Sequence, residues 1–114
     1  MHAISLLAFL LPLVAAKTHK QCDCWSFEDG RGYSYNTGLT HYVCNKYYQE
    51  KKIALYDDGL GRCLSRNEQI DGDGWQLLCQ QAGQNGYHAI TADGDIDLSS
   101  PKEYRKDVFG HCLK

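Results

Sequence analysis

Six cysteines, Cys22, Cys24, Cys44, Cys63, Cys79 and Cys112, constrain this 114-residue chain more than any other feature. An even cysteine count in a short exported domain reads as a disulfide framework, here of three bridges with fifteen possible connectivities. Zinc is the competing use of such residues. Cys22-Asp23-Cys24 is one residue short of the usual spacing between zinc thiolates, and the other four cysteines are isolated, so neither a metal nor any other cofactor is expected.

The export route is written at the start of the chain. Met1 to Ala16 is almost wholly apolar, with an unbroken run from Leu6 to Leu11, and Val14 and Ala16 place small residues where signal peptidase needs them. This stretch is too short to serve as a membrane span of about 20 residues. We therefore expect a signal peptide at 1–16 and one secreted domain at 17–114, with no membrane anchor. A domain of that length buries only roughly 60 to 70% of its unfolded surface, so cross-links compensate for a thin core. The formal charge is −2, without a block of either sign. Nucleic acid is not an expected partner, and a monomer is the simplest state.

Along the mature chain, Cys22-Asp23-Cys24-Trp25-Ser26-Phe27 alternates in period two and stops at Asp29-Gly30, which predicts a first strand with cysteines on one face and aromatics on the other. After a Gly- and Tyr-rich loop, Asn36 or Thr37 caps a helix with Leu39, Val43 and Tyr47 on one stripe, ending near Glu50 or Lys51. Ile53 to Tyr56 and Arg62 to Ser65 read as strands joined by a loop containing Gly59 and Gly61. A second helix, capped by Asp71 or Asp73 and closed by Gly83, buries Trp75, Leu78, Cys79 and Ala82, and Tyr87 to Thr91 reads as a fourth strand. Residues 92–114 are expected to form a polar tail stapled by Cys112. The fold class is therefore α+β, with two helices on one face of a four-stranded antiparallel sheet in the split βαβ, ferredoxin-like order βαββαβ. Among the open connectivities, this order permits Cys44 with Cys63 and Cys24 with Cys79, leaving Cys22 for Cys112.

The arrangement of Cys22-x-Cys24, Thr40-x-x-Val43-Cys44, Gly61-Arg62-Cys63, and Ile70-Asp71 before Trp75-x-x-x-Cys79 resembles small cysteine-rich secreted effector proteins of filamentous fungi. The element order is similar to the sandwich fold of the alpha subunit of the smut virus killer toxin. The chain departs from many such proteins in its single cysteines at Cys44 and Cys79 and in its longer tail. The resemblance implies secretion toward a plant host or a competing microbe, in the host apoplast or after uptake, and a virulence-associated role in binding a host component. It supplies no catalytic residues.

The residues themselves offer little catalytic chemistry. Asp93, Asp95 and Asp97 begin like a calcium loop, but Leu98 and Tyr104 stand where an EF-hand needs Gly and Glu. His41, His88, His111, Glu50, Glu68, Arg62 and Arg66 could supply a small ribonuclease with acid, base and phosphate clamp, yet no local motif gathers them. The chain is read as non-enzymatic. An antimicrobial, killer-toxin-like membrane-active protein is the other alternative, disfavoured by the mildly acidic charge. The eight tyrosines and two tryptophans point instead to recognition. Trp25, Phe27, Tyr33, Tyr35 and Tyr56 are the expected binding surface, unless the segment from Pro101 to Leu113 folds over it.

Overall fold

The period-two segment around the first cysteines is the axis of the fold. In the computed structural model, which describes residues 17–113, it forms an eight-residue strand. The leader expected at 1–16 lies outside the described residues. In chain order the elements are β1 Thr18–His19, β2 Gln21–Glu28, β3 Gly32–Tyr35, helix α1 Thr37–Cys44 with a π-helical turn Asn45–Gln49, β4 Leu55–Asp57, β5 Arg62–Leu64, β6 Ile70–Asp71, helix α2 Gly72–Asn85 and β7 Val108–Leu113. β1 and β6 form a small two-stranded antiparallel sheet.

The main sheet is antiparallel and has five strands, not four. One edge of β2 pairs with β7 along its length, from Gln21↔Leu113 to Ser26↔Val108. Its other edge is shared. Gln21 and Cys22 pair with Leu64 and Cys63 of β5, and Trp25 to Glu28 pair with β3. β4 lies outside β5, with Tyr56 opposite Cys63. Between the two partners on the shared edge, the start of α1 fills the break. The Cys24 amide donates to Thr40 Oγ1 at 2.8 Å, and the Asn36 amide donates to the Cys24 carbonyl at 3.0 Å. Backbone groups that lack a strand partner thus remain satisfied in the core.

Both helices start on side-chain caps. Asn36 Oδ1 accepts from the Leu39 amide at 2.9 Å, and Asp71 Oδ2 accepts from the Gly74 amide at 3.1 Å. Leu39, Val43 and Cys44 of α1 are fully buried, and so are Trp75 and Cys79 of α2. The disulfides fix which side the helices occupy. Cys24 of β2 joins Cys79 of α2, and Cys63 of β5 joins Cys44 of α1. Cys22, Cys24 and Cys63 share one face by register, so both helices pack there. The third bridge, Cys22–Cys112, joins β2 to β7. These are the three pairs that the element order permits.

Several sequence expectations need correction. The Tyr- and Gly-rich loop contains β3, a hairpin partner of β2 turning through Asp29-Gly30-Arg31. The first helix leaves α geometry at Cys44, and its last turn is π-helical, with Asn45 Nδ2 donating to the Gly94 carbonyl at 2.7 Å. The second helix does not stop at Gly83; it runs to Asn85, with Gly86 at positive φ beyond it. Gly83 is small for another reason. A Cβ there would meet Val108 Cγ2 at 2.7 Å, and a Cβ on Gly110 would meet Gln76 Cα at 2.6 Å, so both glycines let α2 lie directly on β7. The fourth strand expected at Tyr87–Thr91 reduces to isolated bridges, Tyr87↔Glu103 and Ile90↔Ile96. The edge of β2 is taken instead by β7, from the segment expected to be a tail.

Candidate binding face

Alternation along β2 sends Asp23, Trp25 and Phe27 to the side of the sheet opposite the helices. Cross-strand neighbours follow the same rule. His111 lies opposite Asp23, Phe109 and Tyr35 flank Trp25, and Tyr33 lies opposite Phe27. The side chains therefore form a polar row of His111, Asp23 and Arg62 beside two rows of aromatic rings.

Asp23 is fully buried although it lies on the open side. Three donors and a histidine ring nitrogen lie over it. Trp25 Nε1 donates to Oδ1 at 2.6 Å, the Tyr35 hydroxyl to Oδ2 at 2.5 Å, and Arg62 Nε to Oδ2 at 3.1 Å, while His111 Nδ1 stands 3.5 Å from Oδ1. Its carbonyl accepts from the indole of Trp75 at 2.8 Å on the helix side. A buried carboxylate is costly unless paired and hydrogen-bonded, and this one is both. Burial, and then the hydrogen bond to and charge of Asp23, push the Tyr35 phenol up to about 12. Burial works against the charge on Arg62, but the Asp23 hydrogen bond and the adjacent Tyr35 leave its pKa raised. Its guanidinium carbon sits 5.3 Å from the centre of the Tyr35 ring.

With its N–H tied to Asp23, the Trp25 ring is held in one orientation. It meets Tyr35 edge-on at 5.0 Å and lies nearly parallel to Phe109 at 5.9 Å. Tyr33 links the rows, 5.3 Å from Phe27 and 5.2 Å from Phe109. Phe27 is 38% exposed and Tyr33 50% exposed. The C-terminal segment does not cover this face; as β7 it pairs edge-on and widens it with Phe109 and His111.

Of the residues expected on the surface, Trp25, Phe27, Tyr33 and Tyr35 come together. Tyr56 does not. It lies opposite Cys63, on the helix side, and its ring stacks on His41 of α1 at 3.9 Å and 10°. The six cysteines sit in bridges on the helix-facing side. Among the residues weighed for ribonuclease chemistry, only Arg62 and His111 meet, at Asp23. His88 Nδ1 lies 2.8 Å from the Ser100 carbonyl, and Glu68 faces Lys20 at 3.8 Å. Asp97 closes a turn by accepting from Ser99. Among the described residues, no group of three or more His, Cys, Asp and Glu side chains is placed to hold a metal ion. Sequence reasoning missed Asp23, Arg62, Phe109 and His111 as parts of the face. The available signal for Asp23 was its phase with Trp25 and Phe27.

The His41–Tyr56 stack has a pH consequence. Burial lowers the His41 pKa below its ordinary 6.5, only partly offset by Asp58. As pH falls below 6.5 the unfolded chain takes up the proton first, so the stability of the neutral stack, full above 6.5, is lost on acidification. Denaturant midpoints measured from pH 7.5 to 5 should therefore fall more steeply for the native protein than for His41→Phe, which keeps the ring and cannot protonate. Parallel curves would remove His41 from this account.

Comparison with protein-family models, curated proteins and solved structures gave no match, so the functional reading rests on the residues and geometry of this chain.

Proposed function

We propose that this is a secreted, effector-type protein that acts by binding a host protein through the outer face of its sheet, and not by catalysis. The observation carrying this reading is Asp23, a buried carboxylate spent on fixing Trp25, Tyr35 and Arg62 on a face that neither helix covers. Trp, Tyr and Arg are the residues that most often dominate binding energy, and rings fixed beforehand lose less entropy on association. Asp23 has no exposed oxygen with which to take a proton from a substrate, which favours recognition over ribonuclease chemistry. The antiparallel sheet with both helices on one side also supports a split βαβ relationship to the killer-toxin sandwich, with β7 as its last strand and β3 as an addition.

The test is capture from host extracts by the oxidised mature protein. Trp25→Ala and Phe27→Ala should each weaken retention of the captured partner by about tenfold or more, whereas Leu98→Ser, on an exposed loop outside the strands of the face, should leave it unchanged. Equal capture by all four proteins would exclude the aromatic face.

A further inference from the structure

The three bridges differ in their access to solvent. Cys22, Cys24, Cys44, Cys63 and Cys79 are all fully buried, whereas Cys112 is only partly buried. It sits on β7, which pairs through β2 alone, one residue from half-exposed His111 and three from Phe109. A thiol attacks a disulfide along an open approach to one sulfur, so accessibility decides which bridge and which sulfur reacts. Cys24–Cys79 and Cys44–Cys63 offer neither sulfur without opening of the core.

We propose that Cys112 is a site of thiol modification. A low-molecular-mass thiolate attacks the Cys112 sulfur, the bond to Cys22 breaks, and Cys112 carries the thiol as a mixed disulfide. Cys22 leaves as a thiolate and takes a proton from water. A second thiolate attacks the adduct and departs as the small-molecule disulfide, leaving Cys112 reduced; the two small thiols are oxidised and the protein bridge is reduced. While the adduct persists, Cys22 can attack the Cys112 sulfur and expel the small thiol, which re-forms the bridge when free thiol is withdrawn; once both cysteines are reduced, re-forming it consumes a small-molecule disulfide. The end of β7 is then clasped to β2 only under oxidising conditions. Because β7 supplies Phe109 and His111, exchange at Cys112 loosens one side of the aromatic face; that consequence rests on the binding reading above, whereas the chemistry at Cys112 does not.

The experiment is exposure of the folded native protein to glutathione without denaturant, with acid quenching, alkylation and peptide mass mapping over time. A glutathione adduct on Cys112 with alkylated Cys22 should form first, on the order of 100-fold faster than opening of either other bridge. An adduct appearing first on any other cysteine, or a single rate constant for all three bridges, would overturn the proposal. Low concentrations of urea provide a second measurement that needs no variant. The rate at Cys112 should be nearly flat in urea, because the site is reached from the folded state; a steep rise from the first addition would show that global unfolding controls the reaction, and would equally overturn it.

Discussion

Replacing Cys24 and Cys79 together by alanine is expected to cost about 4 kcal/mol of stability, the value the loop-entropy model assigns to a closed segment of 55 residues. The effect is large because this bridge is the only covalent link between the central strand and α2, and both cysteines are fully buried. A domain of this size has a total stability of about 5 to 15 kcal/mol, so the variant should be at or near the edge of folding. The Cys44–Cys63 bridge spans only 19 residues, and its removal should cost about 1 kcal/mol less by the same model. Urea denaturation of the two double variants under non-reducing conditions checks both values. Similar or reversed losses would mean that native-state packing around the sulfurs outweighs chain entropy.

Asp23→Ala should destabilise the protein by about 3 kcal/mol. The substitution removes the acceptor for the Trp25 indole, the Tyr35 hydroxyl and Arg62 Nε at once. Arg62 retains some access to water, its side chain being 26% exposed, which keeps the loss below that of a fully buried orphaned cation. Asp23→Asn separates charge from shape. It keeps an oxygen for one or two donors but cannot neutralise Arg62, and should fall between the native protein and Asp23→Ala. The Tyr35 phenol gives an independent readout. Without the carboxylate it should titrate below the value of about 12 that Asp23 helps to impose, as followed by ultraviolet absorbance. An unchanged Tyr35 titration would show that burial alone accounts for the shift.

What the sequence made legible followed from local patterning. Cys22 and Cys24 against Trp25 and Phe27 fixed the phase of β2, Asn36 and Asp71 announced the two helix starts, and the two-glycine loop before Arg62 announced the β4–β5 hairpin. The errors came where one residue type serves two purposes. Gly83 reads as a helix stop, yet it is small, like Gly110, because α2 and β7 touch there. Tyr87 to Thr91 has a strand-like composition, but a strand also needs a free edge, and β7 occupies the edge of β2. The face was half legible for the same reason. Its β2 and β3 members are near neighbours in the chain, whereas Arg62, Phe109 and His111 arrive by tertiary pairing, and only those partners make a buried Asp23 tolerable.

The way α1 completes the shared edge of β2 also says where this chain can and cannot change length. Asn36 and Thr40 occupy the places that strand residues would hold beside Cys24, so the span from Tyr35 to Thr40 is measured against the sheet. An inserted or deleted residue there would shift the helix relative to Cys24 and break its own cap. The turn around Asp93 and Gly94 is tied down mainly by short-range bonds and by Asn45, so it is the natural place for related chains to gain or lose residues.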